Sequence, residues 1–477
     1  MSSSQQIKRG TSPSFFVLVM VFFFWGFVAA SNDILIPLFK EKFHLEAWQS
    51  QLVGFAFYIA YFVGAIIYFL VSNALKTDPL NKIGYKNGII YGLIFSGLGT
   101  LIFFPAAQLQ SFALMLTGLF VVALGFSLQQ IAANPFAIEL GDPADGAKRL
   151  NLAGGINNFG ATLGPVLVSM AIFGDIHPEA AKNATINDVK IPYLVLGALF
   201  ILVAIIFKFS KLPVIKNDEK VEKGLGALKY PQLVLGMVAI FTYVGVEVTI
   251  AANLGEYLHQ TQNLDSANIS QYVSLFWGSM MIGRWTAGAS AFNPSAQLKR
   301  ILTVVIPYVA FGVYLAINYM RGTDISDLYV YAYCILALIL AFFLSQDKPA
   351  KQLLIFASFG ILAMLIGLFS TGKVALFAFI SGGLFCSVMW PCIFTLATAG
   401  LGKYTSQGSA FLVMMILGGA VIPVAQGSLA GVPWIGIHHS YWLAVLCFAY
   451  LAFFAIKVKS ILKSQGIDYE SAISGGH

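Results

Sequence analysis

About fourteen apolar runs divide this chain, each close to the roughly 20 residues that a helix needs to cross a bilayer. They lie near residues 14–39, 48–73, 87–105, 111–138, 151–174, 191–209 and 231–257, then near 271–292, 299–319, 328–346, 351–370, 374–399, 407–430 and 440–457. Hydrophobic residues make up 58% of the sequence and charged residues 10%, against about 25% charge in soluble domains. The expected fold is therefore an all-α polytopic membrane protein with no large soluble domain. The first run follows only Lys8 and Arg9, is too long for a signal-peptide core and lacks a small-residue cleavage site, so it reads as an uncleaved first helix.

The basic residues orient the chain. With the N-terminus in the cytoplasm, the inside loops hold Lys76, Lys82, Lys86, Lys148, Arg149, Arg284, Lys299, Arg300, Lys348, Lys351 and Lys403. The lysine-rich stretch from Lys208 to Lys229 and the tail from Lys457 also fall inside, while the outside loops keep Lys40, Lys42, Lys182, Lys190, Arg321 and Lys373. This bias is the positive-inside rule, and it puts both termini in the cytoplasm. The long charged loop follows the sixth run. It divides the chain into an N-terminal six-helix bundle (1–210), a cytoplasmic linker (211–229) and a C-terminal bundle (230–477).

Within this apolar background, Asp33 stands inside the first run. An ionised carboxylate there costs about 3 kcal/mol or more, so it is expected to face water, a cation or a polar ligand inside the bundle rather than lipid. Glu247, in YVGVE, is a second carboxylate inside a span. Cys334, Cys386, Cys392 and Cys447 all fall in apolar runs without zinc-ligand spacing, and the six histidines are scattered. No nucleophile–base pair or metal cluster is visible, so the chain reads as neither an enzyme nor a cofactor-dependent protein.

The two halves echo each other. AANPF precedes the Gly-rich NNFGATLGP, and WPCIF precedes LGGAVIP, with the prolines of each pair about 30 residues apart. Paired halves of this kind occur in transporters built from internal repeats. The blocks ASNDILIP, QQIAANPF, RLNLAGGINNFG, YVGVE, IGRW and WPCIF…LGKYTSQGSAFLVMMILGGAVIP resemble the fucose–galactose–glucose symporter family of the major facilitator superfamily. The resemblance covers nearly the whole chain. It implies two six-helix bundles around a central cavity, working by alternating access. The stretch from about 298 to 346 has no counterpart in the family's twelve-helix pattern and reads as an inserted two-helix hairpin at the bundle edge. Fucose/proton members carry a Glu ahead of the AANP motif, whereas this chain has Gln130, as glucose/galactose-type members do.

A hexose offers many hydroxyls and a weakly apolar ring face, so its site needs donors, acceptors and an aromatic platform. Gln130 and Asn134 share a face four residues apart, and Asn157 and Asn158 lie beside the small pair Gly154 and Gly155. By resemblance, Asp33 is the coupling carboxylate, Gln130 and Asn157 match cavity positions, and Trp390 matches an aromatic of the sugar site. Trp25 is a second aromatic candidate. Ser31, Asn32 and Gln130 offer oxygens near Asp33, which suits sodium slightly better than a proton relay. Arg284 and the NKIGYK segment are expected at cytoplasmic helix ends, where they resemble loops that latch the halves. Pro135 and Pro391 are expected to kink their helices and loosen them for rocking.

The function expected from these residues is Na+- or H+-coupled uptake of glucose, galactose or another hexose by a monomeric protein of the bacterial inner membrane. Its partners would be the sugar and the lipid bilayer, with no nucleic acid and no cofactor beyond the coupling ion. The rival is a 14-helix drug/cation:proton antiporter, which the count of spans and the GATLGP element also suit.

Overall fold

In the computed structural model, residues 13–32, 39, 42–45, 47–75, 77–174, 185–213, 225–262 and 266–467 are described. All regular structure among them is helical. Lipid offers no hydrogen-bond partners, so each spanning segment satisfies its backbone internally as a helix.

Fourteen main helical elements occur among the described residues. The first half holds α1 (Pro13–Asn32), α2 (Ala47–Leu75), α3 (Tyr85–Leu101), α4 (Phe112–Glu139), α5 (Gly146–Phe173) and α6 (Lys190–Phe209). After the charged loop come α7 (Pro231–Gln262), α8 (Ser266–Gly288), α9 (Ala296–Met320), α10 (Ala332–Ser345), α11 (Pro349–Leu368), α12 (Gly372–Thr398), α13 (Gly402–Ala430) and α14 (Gly436–Ser464). Twelve of them are long and apolar enough to cross a membrane by those criteria alone. The exceptions are α1, whose apolar stretch Ser14–Ala30 is shorter, and α8.

Helices of the first half pack as α1 on α5, α3 on α4 and α6, and α2 on α4. The α1–α5 crossing is close because of two glycines. A Cβ on Gly26 would lie 1.8 Å from the Asn157 carbonyl oxygen, and one on Gly160 would lie 2.2 Å from that of Phe23. Small residues of this kind let membrane helices approach where no hydrophobic force drives them together. In the second half α7 packs on α13 and α14, α11 on α12 and α14, and α8 on α12.

The hairpin expected near 298–346 is present as α9 and α10. Helix α9 packs on α8 and α10, and α10 packs on α11 and α12. Tyr314 donates to the Gln271 carbonyl at 2.9 Å, and Tyr331 bonds Ser279 at 2.7 Å, tying α9 and the turn that leads into α10 to α8. Leu298, Ile301, Val304, Val305 and Val309 are left exposed on α9. An apolar outer face on one helix of an edge hairpin is what contact with lipid tails requires.

The two halves meet along α5–α8 and α2–α13. The first segment of α13, Thr405–Met414, lies against α2 and α4 of the first half, whereas its second segment, Gly418–Ala430, packs mainly on α7 of its own half. Contact between the halves is thus concentrated at the lysine-rich end, where Asn81 donates its side-chain amide to the Lys403 carbonyl at 3.0 Å and accepts from Ser406 at 3.3 Å.

Candidate functional site

The carboxylate that the sequence singles out first, Asp33, lies outside the described residues, as does the side chain of Asn32 beside it. The other candidates fall into three groups.

The first group joins four helices. Arg284 on α8 donates from Nε to the Ser387 carbonyl at 3.1 Å, from Nη1 to Asn158 Oδ1 at 2.6 Å and from Nη2 to the Tyr243 hydroxyl at 3.1 Å. Those partners come from α12, α5 and α7. Glu247, one turn along α7 from Tyr243, interacts electrostatically with the same hydroxyl and with the guanidinium. Trp390 is half-buried, with its ring centroid 6.3 Å from that of Tyr243. Gly154 and Gly155 make room on α5: a Cβ on Gly154 would lie 3.2 Å from the Arg284 Cδ, and one on Gly155 would lie 3.1 Å from Trp285 Cδ1.

The backbone of Arg284 sits near a helix end, as the sequence suggests, but its guanidinium does not stay there. Its Cα lies one turn from the end of α8, but helix side chains tilt toward the N-terminus and arginine is long. The guanidinium therefore reaches back to partners in the middle of α5 and α7 and to the break in α12.

Pro391 causes that break. Helix α12 runs to Cys386, interrupts at residues 387–388 and resumes at Met389. A proline has no N–H for the carbonyl four residues back, and its ring pushes that carbonyl aside. For Pro391 the carbonyl is Ser387, the one Arg284 takes.

The second group centres on Gln130, which is half-buried on α4 and donates to the Tyr61 hydroxyl of α2 at 3.1 Å. Asn134 shares its face as expected, but donates to the Gln130 carbonyl at 3.0 Å and is buried. Helix α4 runs through Pro135 without interruption, so the expected loosening is not visible there. Pro135 does free the Ile131 carbonyl, and Ser409 of α13 fills it at 2.9 Å. That hydrogen bond crosses between the halves and is fully buried on the serine side.

The third group is packing. Trp25 is buried and donates to Gln129 Oε1 at 2.8 Å, and Gln129 donates to Ser96 at 3.0 Å. Its ring belongs to the core of the first half rather than to the Arg284 cluster. Asn157 turns toward α1 and donates to the Phe22 carbonyl at 2.9 Å, clamping the close crossing at Gly26. No group of three or more His, Cys, Asp or Glu able to hold a metal occurs among the described residues.

Sequence reasoning did not select Tyr243, Tyr61, Ser387 or Ser409. Two of them had a signal: Tyr243 is one turn from Glu247, and Ser387 is the residue whose carbonyl a proline at 391 frees. Tyr61 and Ser409 are brought in by helix packing alone.

A family profile described as Major Facilitator Superfamily matches residues 15–346. The chain belongs to the major facilitator superfamily. Within that superfamily it stands among the fucose–galactose–glucose symporters. It is 35% identical over 444 residues to a glucose/galactose transporter of Brucella abortus biovar 1 (strain 9-941), covering 92% of each chain. It is 29% identical over 462 residues to the L-fucose-proton symporter of Escherichia coli (strain K12), again covering 92% of each. Among solved structures, the fucose transporter FucP in the outward conformation superposes with a TM-score of 0.73 at 26% identity, covering 94% of this chain and 99% of that one. The family is one of membrane transporters, and the chain is a multi-pass transporter rather than an enzyme.

Proposed function

We propose that this chain couples uptake of a hexose, such as glucose or galactose, to a cation gradient across the bacterial inner membrane by alternating access. The observation that carries the reading is the Arg284–Asn158–Tyr243–Glu247 cluster beside Trp390, which joins α5 of one half to α7, α8 and α12 of the other. Donors, acceptors, a carboxylate and a half-buried indole are what recognition of a neutral polyol requires. The names of the relatives support a sugar as substrate. A cavity built for lipophilic cations would instead be mostly aromatic and aliphatic, so the drug-antiporter reading is set aside.

The moving units are the N-terminal bundle (1–210) and the C-terminal bundle (230–477, with the hairpin near 298–346), joined by the cytoplasmic linker 211–229. Both termini lie in the cytoplasm on this reading, so the lysine-rich end is the closed cytoplasmic side.

Sodium suits Asp33 if that carboxylate acts alone. Glu247 supplies a second acid on α7, and one relative is named as a proton symporter. We therefore favour the proton, with Asp33 and Glu247 as the groups that load it. A protonated carboxyl loses the charge whose burial opposes occlusion.

Proteoliposomes with an imposed pH gradient, and separately a sodium gradient, test the function. Concentrative uptake of labelled hexose is expected with the pH gradient. Glu247→Gln is expected to lose accumulation while retaining sugar exchange. Accumulation driven by sodium alone would reverse the choice of ion, and dye extrusion without hexose uptake would defeat the sugar reading.

A further inference from the structure

We propose that Pro391 is a positioning residue for Arg284, acting through the carbonyl it leaves without a helical donor. The inference deepens the reading of the Arg284 cluster as a sugar site and rests on it for its transport consequence. Its structural part stands alone.

The argument is one of donors and acceptors. In an uninterrupted helix the N–H of residue 391 would bond the carbonyl of Ser387. Proline removes that donor, and a bare carbonyl inside the membrane needs another. Arg284 Nε supplies it at 3.1 Å. The same bond fixes the plane of the guanidinium, because Nε–H and the two Nη groups form a rigid fork. With Nε anchored, Nη1 meets Asn158 at 2.6 Å and Nη2 meets Tyr243 at 3.1 Å. The guanidinium has five N–H donors. Among the described residues three are engaged, leaving one on each Nη for a ligand. Two parallel donors suit a pair of adjacent sugar hydroxyls.

The neighbouring sequence is shaped for the same contact. A Cβ on Gly283 would sit 2.0 Å from the Ser387 side-chain oxygen, so only glycine lets α8 come this close to the break. The Ser387 hydroxyl spends its one proton on the Leu384 carbonyl at 2.6 Å, so it cannot supply the missing donor to its own residue's carbonyl. On this view the break in α12 serves to present an acceptor, and any flexibility there is secondary.

The test is a double-mutant cycle. Pro391→Ala returns an N–H to residue 391, which then competes for the Ser387 carbonyl. Pro391→Gly is the second variant, since it returns the same donor by a different backbone route. Each is combined with Arg284→Lys, which keeps the charge but loses the fork. Two quantities are measured on full-length protein: the thermal unfolding midpoint in detergent, and equilibrium binding of galactose and glucose.

A positioning role gives non-additive midpoints. Arg284→Lys lowers the midpoint in the Pro391 background and changes it little once residue 391 carries an N–H. It also gives about a tenfold weaker hexose affinity for Pro391→Ala, the size expected for a misaligned charged donor, with no further loss in the double variant. Additive midpoints in both the Ala and Gly series would overturn the proposal. If wild-type protein binds neither hexose, the sugar reading fails while the midpoint cycle still decides whether Pro391 positions Arg284.

Discussion

Ser409→Ala isolates the bond that closes the lysine-rich end. Ser409 is fully buried and donates to the Ile131 carbonyl of the opposite half at 2.9 Å. Pro135 denies that carbonyl its helical donor. When the halves part at this end, water reaches the carbonyl and replaces the serine. The variant therefore leaves an acceptor unpaired only in the closed state, at a cost of about 1–3 kcal/mol. At the middle of that range, the closed-to-open ratio falls by roughly 30-fold. Spin labels on cysteines introduced at Lys82 and Lys403, in a background without the native cysteines, would report the separation of the two sides by pulsed electron resonance. The expected result is a shift toward the long-distance population. Ser409→Thr keeps the hydroxyl and should restore the short one. Pro135→Ala returns an N–H to the Ile131 carbonyl, and in that background Ser409→Ala should change the distances little. An undiminished effect of Ser409→Ala in the Pro135→Ala protein would refute the reasoning, because it would place the serine's contribution elsewhere.

Two further outcomes follow from the same geometry. Asp78, in the loop between α2 and α3, is buried against Tyr68, Ser406 and the Leu80 and Asn81 backbone, with Tyr85 and Glu139 nearby. Burial raises its pKa to about 6, more than the hydrogen bonds from Tyr68 and the backbone lower it. The closed form thus binds a proton that the hydrated, open form does not, and its stability rises as pH falls from about 7 to 4, by up to about 3 kcal/mol. The label distances should shorten on acidification, and Asp78→Asn should flatten the dependence; an unchanged pH profile in that variant would assign it to another group, such as Glu139. Gly26→Ala would put a Cβ 1.8 Å from the Asn157 carbonyl oxygen, so α1 must move off α5. Overpacking of this kind costs about 1–3 kcal/mol, and a lowered unfolding midpoint in detergent should record it, whereas an unshifted midpoint would mean the crossing is loose.

Much of this architecture was legible because lipid simplifies the problem. A run of about twenty apolar residues has one stable backbone solution, so the spans could be placed before any packing was known. The helices α9 and α10 were visible for the same reason, as two apolar runs. The site was less legible, and the failures share a cause. Arg284 was assigned from its position along the chain, but its chemistry is set by where a long side chain ends, a turn or more away toward the helix N-terminus. Asn157 and Trp25 have the composition of site residues. Which way they point depends on the α1–α5 crossing and on Gln129, which periodicity does not reveal.

The two prolines make the sharper case. The sequence suggests loosening at both, yet one sits in an uninterrupted helix and the other lies in the first turn of a segment that follows a break, so flexibility is not what they share. Each bares the carbonyl four residues earlier, and each of those carbonyls receives a side chain from another helix: Ser409 at Ile131, Arg284 at Ser387. One donor reaches across the halves at the closed end, and the other orients the charge beside Glu247. The position of the orphan acceptor follows from the proline's place in the sequence. The identity of its donor does not, because helices α8 and α13 meet those carbonyls only after the bundles assemble. A proline inside a membrane helix is thus a statement about where a partner must arrive: in this chain one arrival crosses between the halves, and the other lies within the second half on an arginine that also bonds Asn158 of the first.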